Sequence, residues 1–209
     1  MRDSTERGGP RQTFSRPFAQ SKSNLDAAGI PAGIAKPGSA LLDGELLDAH
    51  GGPTTLASAR AGQPAVVVFY RGARCPYCNM ALRTYQSELV PALAVRGFEL
   101  IAISPQKPDG SLTAQQTNEL TYTVLSDPGN QIASSLGTLT EPTPDVVAAQ
   151  AKLGLDLTEA NADGTRVLPM STTVVVDADG TIRWIDVHPN YTTRSEVPDI
   201  LAAVEAVSV

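Results

Sequence analysis

A continuous run of β-branched and aromatic residues constrains this chain most. Ala65–Tyr70 is apolar or aromatic throughout and follows Pro64, which is typical of a strand buried on both faces. Phe98–Ile103 predicts a second such strand. Between the two runs, large apolar residues recur at spacings of four, three, four and four, as on one face of an amphipathic helix: Cys78, Leu82, Tyr85, Leu89 and Leu93. We therefore expect a βαβ unit with parallel strands and a right-handed crossover.

The rest of the chain completes an α/β pattern. Leu41–Leu56 predicts a hairpin that opens the domain, and Thr172–Val176 and Thr181–Val187 predict a second, antiparallel hairpin across the turn at Asp177–Gly180. Connecting helices precede this second hairpin, and a final helix over Glu196–Val207 follows it. This order predicts a thioredoxin-like fold, with a central mixed sheet flanked by helices.

We expect two parts in the chain. Residues 40–209 form the thioredoxin-like domain. Residues 1–39 are rich in Arg, Ser, Gly and Pro, and their scattered apolar residues show no clear period, so they predict a flexible N-terminal arm. The 209-residue length is enough for one sizeable core.

Charge excludes some classes of partner. The formal net charge is −6 and the isoelectric point is about 4.9, whereas a nucleic-acid groove or an anionic membrane surface requires a basic face. No apolar run approaches the roughly 20 residues that span a bilayer. We therefore predict no nucleic-acid partner, no membrane association and a cytoplasmic location.

The two cysteines of the chain stand three residues apart, in Cys75-Pro76-Tyr77-Cys78, at the start of the predicted helix. Proline suits the first turn of a helix. Unpaired N–H groups and the peptide dipoles favour an anion there, so the pKa of Cys75 should fall and its thiolate should attack. Arg71 and Arg74 add positive charge nearby. Cys78, which faces the same side one turn later and is more buried, should then form the disulfide with Cys75.

Two other interpretations of this pair remain open. A zinc site needs about four ligands, and beyond the cysteines the remaining soft ligands are His50 and His188, which are distant in sequence and unpaired. The cysteines could also be two buried structural residues, although proline at the first helical position favours a redox motif. We favour a redox-active dithiol that holds no metal.

The chain resembles the peroxiredoxin-like branch of the alkyl hydroperoxide reductase/thiol-specific antioxidant (AhpC/TSA) family. The resemblance runs from about Leu41 to the C-terminus. The motifs that carry it are Phe69-Tyr70-Arg71-Gly72 before Cys75-Pro76-Tyr77-Cys78-Asn79, Ile103-Ser104-Pro105-Gln106 with Pro108-Asp109, Asn118-Glu119-Leu120, Leu125-Ser126-Asp127, Leu168-Pro169-Met170, Val176-Asp177-Ala178-Asp179-Gly180, and Pro189-Asn190-Tyr191-Thr192 with Arg194.

The resemblance implies a thiol-dependent peroxidase. Its substrate would be hydrogen peroxide or an organic hydroperoxide, reduced through Cys75 and Cys78, and a thioredoxin-like donor would recycle the disulfide. It implies no metal, haem or flavin cofactor. The oligomeric state is not predicted.

The sequence departs from the family pattern at several positions near the dithiol. Typical members carry Pro and Thr or Ser where Val68 and Gly72 stand, and Trp where Arg74 stands. Ser171 occupies the position of the cis-proline that usually faces the Cys-x-x-Cys motif, so it belongs to the predicted substrate groove. We expect a trans peptide bond before it, because a cis bond at a non-proline residue costs about 3 kcal/mol.

Two further functions follow from these departures. The first is a thiol–disulfide oxidoreductase that acts on a disulfide substrate without true peroxidase activity. The second is a non-catalytic module that senses redox state or binds a partner according to the state of the dithiol.

Overall fold

The computed structural model describes the backbone of residues 10–207 and the side chains of residues 16–207. Two sheets are present in this part of the chain. The large sheet contains β1 (Glu45–Leu47), β2 (Pro53–Thr55), β3 (Ala65–Phe69), β4 (Glu99–Ser104), β5 (Thr123–Ser126), β8 (Ser171–Val176) and β9 (Ile182–His188). The small sheet pairs β6 (Leu139–Thr140) with β7 (Leu168–Pro169).

The helices surround the large sheet. They are α1 (Pro10–Ala28), α2 (Leu56–Arg60), α3 (Pro76–Thr84), α4 (Val90–Ala94), α5 (Pro108–Thr117), α6 (Gln131–Ser135), α7 (Pro144–Lys152), α8 (Leu157–Ala160) and α9 (Val197–Val207). A π-helical segment, Tyr85–Leu89, joins α3 to α4. Over residues 10–207, none of the helices has the length and apolar character that a membrane crossing requires.

The large sheet is mixed, as the sequence predicts. Its strand order is β2-β1-β5-β4-β3-β8-β9. β3, β4 and β5 run parallel to one another, whereas β1 and β2 form an antiparallel hairpin on one side and β8 and β9 form another on the opposite side. Cys75 follows β3, which lies next to the central strand β4 and is buried at every residue, so a fully buried strand sets its position.

β3 shows why the apolar run is uninterrupted. Val66, Val68 and Tyr70 pack into the core on one face of the sheet, together with α3 and α9. Val67 and Phe69 pack into the core on the other face, together with α6 and the first hairpin. Successive side chains of a strand point to opposite faces, so every residue of this strand is buried.

The long helix between β3 and β4 is distorted just before Pro91. Proline lacks an N–H group and its ring clashes with the preceding turn. The chain responds with the π-helical segment, and Gly97 (φ 70°) ends the helix in the left-handed conformation that glycine favours.

The N-terminal arm differs from the expectation. Within residues 1–39 the structure places helix α1, which packs against α7; residues 1–9 of the predicted arm lie outside the described residues. Phe18, Ser21 and Leu25 are half-buried and recur at helical spacing, whereas residues 22–24 and 26–28 are exposed. This face is short and interrupted by a polar residue, so the sequence pattern did not reveal it.

Candidate active site

Cys75 caps the N-terminus of α3. Its backbone is extended (φ −88°, ψ 109°), and its sulfur accepts a hydrogen bond from the backbone N–H of Cys78 at 3.3 Å. Pro76 occupies the first turn, as predicted. Cys75 is half-buried, whereas Cys78 is 1% exposed. A reagent therefore reaches the first sulfur more easily than the second.

Arg194 faces both sulfurs. Its Nη2 lies 3.0 Å from Cys78 Sγ and 3.6 Å from Cys75 Sγ. The guanidinium is held from behind, because Nη1 donates to the carbonyl oxygens of Tyr191 and Thr193. A fixed positive charge thus stands beside the dithiol.

The pKa values of the two thiols are shifted in opposite directions. The pKa of Cys75 is lowered to about 6, first because the Cys78 thiol donates a hydrogen bond to its sulfur, and then because of the positive charge of Arg194, the Cys78 N–H and Arg71. Burial opposes this change but does not outweigh it. The pKa of Cys78 is raised well above its ordinary value, first by burial and then by its neighbour Cys75. Near neutral pH, Cys75 is the thiolate and Cys78 holds the proton.

Arg71 supplies a second positive charge. Its guanidinium lies over the ring of Tyr191, 4.8 Å from the ring centre, a distance typical of a cation–π contact. Burial lowers the pKa of Arg71. The ring of Tyr77 lies 6.4 Å from that of Tyr191, so aromatic side chains enclose the approach to Cys75.

Arg74 lies in the wall of a cavity that Cys75 also lines. Its side chain is exposed, and Nη1 donates to the carbonyl oxygen of Gly154 at 3.2 Å. The geometry favours Arg194 for the role that the sequence suggested for Arg74. Arg194 follows Cys75 by 119 residues, and nothing local in the sequence connects them. Its presence in the family-like motif was the one available signal.

The π-helical segment positions Arg194. The Tyr85 hydroxyl donates to the carbonyl oxygen of Ser195 at 2.7 Å, and the Ser195 hydroxyl donates to Asp186 at 2.8 Å. Asp186 also contacts His188, whose other ring nitrogen lies 2.9 Å from the hydroxyl of Thr193. The loop that carries Arg194 is therefore fixed on both sides.

Position 72, three residues before Cys75, favours glycine over a larger residue. Its φ is 106°, and a Cβ atom added there would lie 3.0 Å from Oε1 of Gln106. That oxygen accepts a hydrogen bond from the N–H of Ala73 at 2.8 Å, and the Gln106 amide nitrogen donates to the hydroxyl of Tyr70. A threonine at this position would be strained in its backbone and would displace the glutamine that holds the loop.

Asn79 holds the same loop from the side of α3. Its amide donates to the carbonyl oxygen of Ala73 at 2.8 Å, and its own oxygen accepts a hydrogen bond from Asn118 at 3.1 Å. Backbone and side-chain bonds thus fix residues 71–75 before any substrate binds.

Ser171 begins β8 and is 1% exposed. Every peptide bond among residues 10–207 is trans, including the bond before Ser171, as expected. Its hydroxyl has no hydrogen-bond partner among the described residues. The preceding residue, Met170, donates its backbone N–H to the carbonyl oxygen of Thr138, so the main chain there is already paired within the protein.

A cavity of about 650 Å³ lies beside the dithiol, with Cys75 and Ser171 among the residues in its wall. Among the described residues, no three His, Cys, Asp or Glu side chains cluster as metal ligands would. His188, considered above as a zinc ligand, instead belongs to the Asp186 network. The arrangement suits a nucleophilic thiolate with a resolving thiol directly behind it.

Comparisons with known proteins agree with this arrangement. A protein of Mycobacterium tuberculosis (strain ATCC 25618 / H37Rv) named "Putative peroxiredoxin Rv2521" is 32% identical over 92 residues, which are 44% of this chain and 57% of that protein. The match therefore spans little more than half the length of that relative.

Solved structures share the fold. Peroxidoxin BcpB from Mycobacterium tuberculosis superimposes with a TM-score of 0.62 at 20% identity, over 82% of this chain and 97% of that one. Reduced Prx3 from Vibrio vulnificus in complex with hydrogen peroxide gives a TM-score of 0.65 at 16% identity, over 82% and 99%. These likenesses confirm the predicted thioredoxin-like fold.

The family is established by a longer match. Residues 37–185 match the model of the AhpC/TSA family, and this range covers well over half of the chain. It contains the dithiol, the loop before it and both strands that flank it. The family resemblance expected from the motifs is therefore confirmed, and the chain belongs to the AhpC/TSA family.

Proposed function

We propose that this protein is a thiol-dependent peroxidase that reduces hydrogen peroxide or organic hydroperoxides through Cys75 and Cys78. One observation carries the proposal. The half-buried Cys75 sulfur is ionised near neutral pH, with a pKa of about 6, and a buried, protonated thiol lies one turn behind it. An attacking thiolate and a resolving thiol are the two groups that this chemistry requires.

The first step oxidises Cys75. The thiolate attacks the terminal peroxide oxygen, a sulfur–oxygen bond forms and the oxygen–oxygen bond breaks. Cys75 becomes a sulfenic acid, and the leaving alkoxide or hydroxide takes a proton from solvent to give an alcohol or water. Arg194 and Arg71 stabilise the negative charge that moves from sulfur to the leaving oxygen.

The second step forms the disulfide. The sulfur of Cys78 attacks the sulfenic sulfur of Cys75, and the proton of Cys78 leaves with the hydroxyl group as water. A thioredoxin-like dithiol then returns two electrons and two protons, restoring both thiols. Because such donors and free thiols belong to reducing compartments, we propose a cytoplasmic location.

Stopped-flow fluorescence of Trp184 tests the proposal. Trp184 is the single tryptophan of the chain and packs against the same hydrophobic cluster as Cys75. The wild type should show one phase whose rate rises with peroxide concentration and a second that does not depend on it. Cys75→Ser should show neither phase, and Cys78→Ser should show the first alone, leaving a sulfenic acid that dimedone traps. Two free thiols after minutes in stoichiometric peroxide would overturn the proposal.

Insulin reduction distinguishes a disulfide oxidoreductase from a peroxidase. In thioredoxin-like oxidoreductases a substrate chain pairs with the main chain opposite the dithiol. Here the N–H of Met170, the residue before Ser171, already donates to the carbonyl oxygen of Thr138. We therefore expect insulin reduction to be much slower than peroxide turnover. The reverse order would favour the oxidoreductase.

A further inference from the structure

The cavity beside Cys75 is larger and more apolar than hydrogen peroxide requires. Its volume of about 650 Å³ lies within the range of small-molecule sites. Apolar side chains dominate its wall, including Phe18, Leu25, Val146, Leu155 and Met170. Cys75 lies in the same wall, so a molecule in the cavity is next to the residue that attacks in the proposed reaction.

Helix α1 forms one side of this cavity. Phe18, Ser21, Leu25 and Ala28 line it, and their spacing of three, four and three residues places them on one face of the helix. Ala27, on the exposed side, does not take part. The N-terminal segment therefore contributes a continuous face to the space in front of the active site.

Two hydrogen bonds attach α1 next to the dithiol. The Tyr191 hydroxyl donates to the carbonyl oxygen of Phe18 at 2.9 Å, and the Asn190 amide donates to the carboxylate of Asp26 at 2.7 Å. The ring of the same Tyr191 lies under Arg71. The helix is thus connected to the residues around Cys75 and not only to the cavity.

The polar end of the cavity lies near the dithiol. Ser171 lines it, is 1% exposed and has a hydroxyl with no hydrogen-bond partner among the described residues. Arg71 also lines it, and its buried Nε is likewise unpartnered in the described part of the chain. Buried polar atoms without partners are costly, so a ligand oxygen that reached either atom would satisfy a hydrogen bond that the protein leaves unmade.

We propose that the cavity binds a hydroperoxide with a bulky apolar group, and that helix α1 determines this specificity. The peroxide oxygens lie between Cys75, Ser171 and Arg71, and the apolar group lies against α1 and α7. This inference rests on the proposed peroxidase function and narrows its substrate. Hydrogen peroxide has no apolar group that could contact the apolar wall. A protein disulfide would have to displace α1 to reach Cys75.

Cumene hydroperoxide and hydrogen peroxide test the proposal, with dithiothreitol as reductant. Leu25→Asp places a charge on the cavity face of α1, and Ala27→Asp places the same charge on its exposed face as a matched control. The ratio of kcat/KM for cumene hydroperoxide to that for hydrogen peroxide should fall about tenfold in Leu25→Asp, the size of a lost apolar contact in a specificity pocket. The control should keep the wild-type ratio. Equal ratios in both variants would overturn the role of α1.

A binding measurement separates this inference from the proposed function. 2-Phenyl-2-propanol, the alcohol product of cumene hydroperoxide, should slow the alkylation of Cys75 by iodoacetamide in the wild type and in Ala27→Asp but not in Leu25→Asp. Protection without turnover of either peroxide would support the cavity and overturn the peroxidase. Turnover without protection would overturn the cavity.

Ser171→Ala tests the polar end. It should lower kcat/KM for both peroxides about tenfold, because the proposed hydrogen bond of the hydroxyl is to the peroxide group that both substrates contain. The ratio of the two kcat/KM values should stay as in the wild type. A change confined to cumene hydroperoxide would place Ser171 with the apolar wall instead.

Discussion

Cys75 and Cys78 are the same side chain in two environments, three residues apart. The first caps a helix and receives hydrogen bonds from the N–H and the thiol of the second, while the second lies within the core. Arg194 is closer to Cys78, yet burial keeps Cys78 protonated because its desolvation outweighs that charge. The difference in pKa between the two thiols therefore follows from burial and hydrogen bonding more than from distance to the cation.

Replacing Arg194 tests its effect on the Cys75 thiolate. In the wild type, the rate of Cys75 alkylation by iodoacetamide should rise with pH around a midpoint of about 6. Arg194→Gln removes the charge, so the midpoint should move upward, and at pH 6.5 alkylation should slow about threefold, the change expected for a rise of roughly one pKa unit. Arg194→Lys should recover part of the loss.

Arg74→Gln is the matched control for that series. The Arg74 guanidinium donates to Gly154, so its removal should leave the alkylation midpoint where it is in the wild type. If the alkylation midpoint moved upward as much in Arg74→Gln as in Arg194→Gln, Arg74 would also stabilise the Cys75 thiolate, as the sequence suggested.

Among the elements, the π-helical segment connects the helix of the dithiol to the loop of Arg194. Its first residue, Tyr85, reaches the Ser195 carbonyl. π-helical turns often occur at functional sites, and here the irregular turn lies between α3 and Pro91. The irregular turn that precedes Pro91 therefore supplies the residue that contacts the loop of Arg194.

Tyr85→Phe tests this connection. It removes one buried hydrogen bond, so the free energy of unfolding should fall by about 1 kcal/mol. The loop of Arg194 should also loosen, and the midpoint of Cys75 alkylation should move upward. Urea unfolding and pH-dependent alkylation measure the two effects.

Tyr122→Phe separates stability from positioning. The Tyr122 hydroxyl is also buried and donates to the Leu82 carbonyl oxygen at 3.2 Å, away from the loop of Arg194. A similar loss of stability with an unchanged alkylation midpoint is expected. Identical midpoints in both variants would show that Tyr85 has no part in placing Arg194.

For the whole molecule, ionisation of Cys75 is coupled to folding. Its pKa is about 6 in the native state against an ordinary value of 9.0. Below pH 6 the thiol is protonated in both states, so it contributes nothing to stability. Between about 6 and 9 the native state has lost the proton that the unfolded state still holds, and stability rises with pH. Above pH 9 the contribution is fully present.

Urea unfolding under reducing conditions checks this coupling. From pH 6 to pH 8 the free energy of unfolding of the wild type should increase relative to that of Cys75→Ser, which lacks the ionisable thiol. The difference between the two proteins cancels most contributions from other titrating groups. A constant difference across this range would mean that the thiolate is no better stabilised in the native state than in the unfolded chain.

Short-range patterns were sufficient for most of the fold. A central parallel unit was predicted from the apolar runs of β3 and β4 and the spacing of apolar residues in the helix between them. A flanking hairpin was predicted from the turn at Asp177–Gly180. These signals are local because strand and helix periodicity are properties of consecutive residues. Helix α1 was missed because its stability depends on contact with α7 and Tyr191 rather than on its own pattern.

The sequence by itself determined the dithiol: two cysteines at Cys-x-x-Cys spacing, with proline between them, must share one face of a helix start. Tertiary structure decided what surrounds it. Arg194 brings a positive charge to both sulfurs, and Arg74, Ser171 and helix α1 line the cavity beside Cys75. The reason is distance along the chain: these residues meet through the sheet and its loops, and no local period records that meeting.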